Sequence, residues 1–185
     1  MVTLPPHEMR LLAGMLAYPG QESLAVLRAL ADTEAWLKDA VAELHALPLD
    51  HWQAEHTRLF INGIPKTVCP PFASAWMTKA LLNEQTLDTL ERLYQSVGLQ
   101  FPRMWVDYLG TLLEVLAFLR LPHDPRMPSP EGVHLQVADI VWEEHLQPWL
   151  PDFARRLQSE ARLELYRRVG QRLMSWVPSV EEAGA

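Results

Sequence analysis

The chain has 185 residues, 49% of them hydrophobic, and a formal net charge of −7 at pH 7. A domain of this length buries roughly 70% of the surface of its unfolded chain, so it needs no disulfide or metal to hold a fold. The negative charge argues against a nucleic-acid-binding protein, because such a protein needs a basic surface to replace phosphate counterions. An acidic surface suits solubility and would also attract a basic partner.

Cysteine content and the N-terminal residues indicate the compartment. Cys69 is the single cysteine, which excludes an internal disulfide and a cysteine-based zinc site. The segment 1–8 has no basic region ahead of an apolar stretch, so it does not resemble a signal peptide. No apolar run is long enough to span a membrane. These features predict a cytoplasmic protein without stable membrane insertion.

Helical spacing of apolar residues dominates the first 60 residues. The first predicted helix ends at Pro19-Gly20, a short second helix follows, a third begins at Thr33 as N-cap, and a fourth starts near Asp50. Residues 62–72 contain three prolines, which forbid a helix there. Helix is predicted to resume near Ala73 and to continue, with room for one break, to Gly98 as a C′ residue.

The most apolar predicted helix runs from Trp105 to Leu121 and is expected to be the central buried one. A second proline-rich segment, 122–130, follows it, and helices are predicted over 133–146, 149–158 and 163–177. No strand pattern and no repeat is present. The sequence therefore predicts one all-α domain over 1–185, a bundle of about eight to ten helices, with 122–130 as a candidate hinge that would permit either a monomer or a domain-swapped dimer.

Known catalytic and metal-binding patterns do not fit. His51 and His56 stand five apart, about 140° around a helix, so they cannot share one ion as zinc-protease histidines do. Glu131 and His134 form a single Glu-x-x-His pair, whereas a di-iron bundle needs two. No phosphate-binding glycine loop is present, and the neighbours of Cys69 carry no charge that would activate its thiol. We therefore identify no catalytic residue, no metal site and no cofactor.

Seven tryptophans are many for this length, and three of them, Trp76, Trp105 and Trp149, lie near predicted helix ends beside irregular segments. Grooves are commonly built at such places. The run 55–60, Glu-His-Thr-Arg-Leu-Phe, followed by 70–76, Pro-Pro-Phe-Ala-Ser-Ala-Trp, resembles the signature of the TorD/DmsD-type redox-enzyme maturation chaperones of the TorD/DmsD/NarJ superfamily.

Two further stretches resemble the same family in the same order. The stretch from Asp107-Tyr108-Leu109-Gly110 to Glu114 resembles its Asp-His-Leu helix, and 144–151 resembles its His-Leu-x-x-Trp segment. The resemblance extends over about residues 8–177. Trp105 stands where the family often has a proline, and Tyr108 where it has a histidine, which removes any role that would need an ionisable imidazole there.

The resemblance implies a TorD-like, all-helical cytoplasmic chaperone without enzymatic activity. Such proteins bind the twin-arginine leader, and sometimes the body, of the precursor of a molybdoenzyme catalytic subunit, and hold this client until its cofactor is inserted. Asp107 and Glu114, seven apart and expected on one helix face, are candidates to meet the two arginines. Phe72, Trp76, Trp105 and Tyr108 are candidates to line the apolar part of a groove.

Ordinary structural roles compete with each of these assignments. Ser74 fits an N-cap as well as a client contact, and His145 fits a core histidine as well as a client contact. Asp107 would also stabilise a helix dipole, and Glu114 would also pair internally. At the level of function, the alternatives are a helical enzyme or nucleotide-dependent switch with a nonstandard site, and a permanent structural subunit of a complex.

Overall fold

The computed structural model of the protein describes residues 5–64, 66–78, 81–122 and 129–177. All the regular secondary structure in these residues is helical, which confirms the all-α prediction. The chain divides into two compact units, each assembled from two separate stretches. The first unit comprises Met1–Leu16 with Pro71–Leu150, and the second comprises Ala17–Pro70 with Pro151–Ala185. Most of the candidate hinge 122–130 lies outside the described residues, so the hinge and the single domain stay predictions.

The first unit is built around its most apolar helix. Its α-helices are α1 (Pro6–Met15), α5 (Ala73–Met77), α6 (Glu84–Ser96), α7 (Leu109–Leu119) and α8 (Glu131–Ile140). A 3₁₀ turn covers Arg103–Trp105, and a π-helical segment, Val141–Leu146, continues α8. Both α1 and α8 pack against α7, whose seven buried aliphatic side chains are each no more than 2% exposed. The prediction that this helix is buried and central to its surroundings is confirmed.

A local hydrogen-bonding motif ends α6, and a long-range contact sets the residue at which α7 begins. Gly98 has a φ of 77° directly after α6, and the amides of Gly98 and Leu99 donate to the carbonyls of Gln95 and Tyr94. This is the C-terminal motif that a C′ glycine favours, as predicted. The start of α7 was predicted at Trp105, but the helix begins at Leu109, because the residues before it pair with another segment.

The second unit contains α2 (Ser23–Ala31), α3 (Lys38–His45), α4 (Leu49–His56), α9 (Leu150–Glu160) and α10 (Glu164–Met174). A 3₁₀ turn, Ala35–Leu37, precedes α3, and a π-helical segment, Thr57–Ile61, continues α4. Within this unit, α3 packs against α2 and α10, and the indole of Trp52 donates to the hydroxyl of Tyr166 at 2.9 Å. Among the described helices, none is long and apolar enough to cross a membrane.

Candidate functional site

A short backbone pairing organises the predicted site residues of the first unit. Phe72 and Tyr108 form an antiparallel β-bridge, in which the amide of Ala73 donates to the carbonyl of Asp107 (3.0 Å) and the amide of Leu109 donates to that of Pro71 (2.8 Å). Prolines 70 and 71 favour the extended backbone that this pairing needs. The bridge therefore places the start of α5 beside the start of α7.

Asp107 lies inside this junction rather than on the surface. The carboxylate is 0% exposed, and its Oδ2 accepts the amide of Ser74 at 2.9 Å. Within the described part of the chain, its Oδ1 has no hydrogen-bond partner. Burial, and secondarily the Asp107 charge, raises the pKa of Tyr94, whose hydroxyl donates to the carbonyl of Val106 at 3.0 Å. Asp107, which lies outside α5, thus accepts a hydrogen bond from one of the backbone amides that have no partner within the first turn of that helix.

The expectation that Asp107 and Glu114 share a helix face is wrong. Because α7 begins only at Leu109, Asp107 precedes the helix, and the period of the helix does not relate the two residues. The Glu114 side chain is 51% exposed and lies 3.7 Å from the guanidinium of Arg10. One carboxylate is therefore buried and the other is on the surface.

Ser74 forms a hydrogen bond to Leu82, which follows α5 in the chain. It is fully buried, and its hydroxyl accepts the amide of Leu82 at 3.0 Å, while Phe72 occupies the N-cap position. Leu82 has a φ of 55°, a conformation that a leucine adopts rarely and that the hydrogen bond to Ser74 helps to maintain. The N-cap alternative for Ser74 is therefore not what the structure shows.

Three predicted aromatic residues form one cluster. The ring centroid of Phe72 lies 6.3 Å from that of Trp105 and 5.5 Å from that of Tyr108, and the last two are 5.2 Å apart. The Tyr108 hydroxyl donates to the carbonyl of Leu16 at 2.9 Å, and burial raises the pKa of this phenol to about 12. Trp105 remains 42% exposed, so this cluster presents an indole to solvent.

Trp76 stacks on Trp149 in a second pair of rings, and His145 accepts a hydrogen bond from Trp149. The indoles of Trp76 and Trp149 stack with centroids 6.4 Å apart, and the Trp149 Nε1 donates to the carbonyl of His145 at 2.6 Å. His145 is 6% exposed, neither ring nitrogen has a hydrogen-bond partner among the described residues, and burial lowers its pKa. His145 thus supports the Trp149 indole through its backbone carbonyl, and its own imidazole is buried.

The sequence analysis did not single out four exposed apolar residues and the ion pairs of Arg103. Met77, Leu81, Leu82 and Met104 are between 41% and 59% exposed. Met77 ends α5, Leu81 and Leu82 shortly precede α6, and Met104 lies between α6 and α7. The available signal was therefore the position of these apolar residues at or between helix ends. The guanidinium of Arg103, next to Met104, lies 2.8 Å from Asp88, 2.8 Å from Glu91 and 3.5 Å from Glu84, all on α6.

Within the described residues, no cluster of three or more histidine, cysteine, aspartate or glutamate side chains could hold a metal ion. Cys69 is buried, and burial raises the pKa of its thiol, which keeps it protonated.

Comparison with known proteins agrees with this description. The family model described as "Nitrate reductase delta subunit" matches residues 23–155. The chain belongs to this family of NarJ/TorD-type chaperones, which serve the maturation of redox enzymes and are not catalysts. No curated protein sequence matches the chain.

A solved structure shows the same fold. It is the crystal structure of a protein from Archaeoglobus fulgidus described as a candidate redox enzyme maturation protein. The two chains are 19% identical, each is covered over 95% of its length, and the TM-score is 0.66.

Proposed function

We propose that this protein is a cytoplasmic chaperone that binds the twin-arginine leader, the apo form, or both, of the precursor of a DMSO-reductase-type molybdoenzyme catalytic subunit. It holds this client until cofactor insertion is complete and so delays export of an unfinished enzyme. Membership of the maturation-chaperone family supports the class of function, and the acidic net charge of −7 suits a client segment that carries arginines.

The observation that carries the proposal is the exposed aromatic cluster of the first unit. Trp105 is 42% exposed, and its ring packs against those of Phe72 and Tyr108. Part of a large apolar side chain therefore faces solvent while its neighbours restrict its motion. A rigid indole loses little conformational entropy on binding, which is why tryptophan is frequent among residues that dominate binding energy. This cluster would contact the apolar part of the leader.

The magnitude is adequate for a reversible complex. Burying about 400 Å² of apolar surface would contribute up to about 10 kcal/mol before association costs. Association costs of at least about 4 kcal/mol leave up to about 6 kcal/mol, which corresponds to a dissociation constant of roughly tens of micromolar or weaker. A chaperone must release its client, so an affinity of this order fits the task.

The predicted site residues then take different parts in binding the client. Phe72, Trp76, Trp105 and Tyr108 contact the client or directly support those that do. Ser74, Asp107 and His145, all buried, position the surrounding elements. Glu114 remains accessible to basic residues of the client outside the leader's arginine pair, since Arg10 at 3.7 Å is only a loosely held surface partner.

The test is capture of the client. A tagged protein is purified from its source cells under conditions where molybdoenzymes are expressed, and co-purifying proteins are identified by mass spectrometry. We expect a molybdoenzyme catalytic subunit with its leader uncleaved. Recovery of no such subunit would contradict the proposal.

A variant pair tests the surface itself. Trp105→Ala should reduce client recovery strongly, and it should weaken binding of a leader peptide by about tenfold or more. Leu135→Ala, which removes a side chain 49% exposed on α8, is the matched control and should bind as the wild type does. Equal affinities of the two variants would place the client elsewhere.

A further inference from the structure

We propose that one face of α6, with the exposed apolar residues at its two borders, is the surface that receives the arginine pair of the client. This inference rests on the proposed function and says where the basic part of the leader docks. We call it the α6 docking surface and define it by six residues: Leu82, Glu84, Asp88, Glu91, Met104 and Trp105.

The carboxylates of this surface already bind a guanidinium. Glu84, Asp88 and Glu91 follow one another at spacings of four and three residues, so they form a single stripe along α6. Arg103 reaches all three, with nitrogen–oxygen distances of 2.8 to 3.5 Å, and these contacts raise its pKa. The stripe is therefore spaced for guanidinium groups.

The charge of the stripe exceeds what Arg103 neutralises. Three carboxylates against Arg103 alone leave a net charge of −2, and Arg92, whose Nε donates to the backbone carbonyl of Asp88 at 3.1 Å, offsets part of it, so the stripe keeps a net negative charge. The Glu84 side chain is 89% exposed and that of Asp88 is 55% exposed, so both remain open to a partner. Charged groups arranged in this way attract and orient a basic partner.

Apolar side chains at the borders distinguish this stripe from an ordinary solvated helix face. Leu82, 45% exposed, lies two residues before Glu84, and Met104 and Trp105, 57% and 42% exposed, directly follow Arg103. An acidic stripe next to exposed apolar groups is complementary to a segment that combines arginines with apolar residues. Methionine adapts to varied apolar partners, which suits a leader of variable sequence.

Arg103 has a defined part in this arrangement, because it occupies the carboxylates when no client is present. A client guanidinium must share them with Arg103 or replace it. Removing the Arg103 charge would leave three free carboxylates and so favour binding of a basic client, although it removes contacts within the folded protein. A residue that served stability alone would not have this effect.

The experiment uses the full chain and a fluorescent synthetic peptide with an arginine pair followed by an apolar stretch, together with a second peptide in which both arginines are glutamine. Affinity is measured by fluorescence anisotropy at low and at high salt. The variants are Glu84→Gln/Asp88→Asn/Glu91→Gln, the single variant Arg103→Gln, and the control Glu22→Gln/Asp32→Asn/Asp50→Asn. The control removes the same charge from three exposed acids of the second unit. Circular dichroism confirms that each variant is folded.

We expect the α6 triple variant to bind the arginine peptide about tenfold or more weakly than the wild type, and to lose most of the salt dependence. The control variant should retain most of the wild-type affinity, and Arg103→Gln should bind the arginine peptide more tightly. The glutamine peptide should bind all folded forms with similar, weaker affinity.

Three kinds of result would overturn different statements. If the α6 triple variant binds the arginine peptide as tightly as the wild type, the α6 docking surface is refuted. The same holds if the control variant loses as much affinity as the α6 triple variant. Either result would leave the proposed function standing. Weaker binding by folded Arg103→Gln would show that Arg103 helps the client to bind and would refute its role as an internal occupant. No binding of the arginine peptide to the wild type would refute both the surface and the leader-binding function.

Discussion

Replacing Asp107 separates support of the fold from contact with the client. In Asp107→Ala the buried amide of Ser74, which now donates to Oδ2 at 2.9 Å, loses its acceptor. Leaving a buried donor unsatisfied costs about 1–3 kcal/mol. For a chain of this size, this corresponds to a fall in the melting temperature of about 2–12 °C.

The conservative replacement Asp107→Asn should behave differently. Its side-chain oxygen can still accept the Ser74 amide, and the substitution removes a charge from a position that is 0% exposed. The stability of this variant should lie within about 1 kcal/mol of the wild type, because the hydrogen bond is kept and the desolvation cost of a carboxylate disappears.

The assay is denaturation by urea and by heat, followed by circular dichroism, with leader-peptide affinity measured on the same samples. We expect the folded Asp107→Asn variant to bind the peptide within about twofold of the wild type, which is less than 0.5 kcal/mol. A tenfold loss of affinity in this folded variant would show that the Asp107 charge meets the client. Equal destabilisation of the alanine and asparagine variants would contradict the hydrogen-bond argument.

Three further predictions concern other buried groups. Gly110→Ala would place a Cβ 2.5 Å from the ring of Tyr108, so urea denaturation should show destabilisation by about 1–3 kcal/mol, despite the better helix propensity of alanine; stabilisation would contradict this. Because burial lowers the pKa of His145, the unfolded chain binds its proton more readily, and stability should fall as the pH falls below about 6.5. His145→Gln should reduce this dependence in melting curves recorded across that range, and an unchanged pH profile would assign it to other groups. The raised pKa of Cys69 and its burial should keep it unreactive towards a thiol reagent up to a pH of about 8.5, with labelling only on unfolding; rapid labelling of the folded protein would contradict its placement.

Local signals were enough to predict most helices and the burial of α7. Apolar residues at helix spacing, the prolines of 62–72 and Gly98 as a C′ residue all act over a few residues, and the structure agrees with each. The sequence analysis also named Phe72, Trp105 and Tyr108 as candidates to line a groove, and the structure brings these three rings into one cluster.

Contacts between distant segments account for what the sequence did not reveal. The start of α7 at Leu109 follows from pairing with residues more than 30 positions earlier, and no local pattern encodes that pairing. Extending the helical period back to Asp107 therefore assigned it to the wrong surface. The π-helical segments were also missed, since their five-residue hydrogen bonds, such as that from the Gln147 amide to the Trp142 carbonyl, leave no distinct apolar spacing.

The junction between the starts of α5 and α7 has a consequence for how such a protein diversifies. The two hydrogen bonds of its β-bridge, Ala73 to Asp107 and Leu109 to Pro71, use only backbone atoms, whereas the hydrogen bond from the Ser74 amide depends on the Asp107 side chain. The β-bridge therefore constrains the backbone at positions 72 and 108 and does not itself require a phenylalanine or a tyrosine there. A substitution at either position would therefore change the aromatic surface beside Trp105 while leaving the backbone pairing of the two helix starts in place.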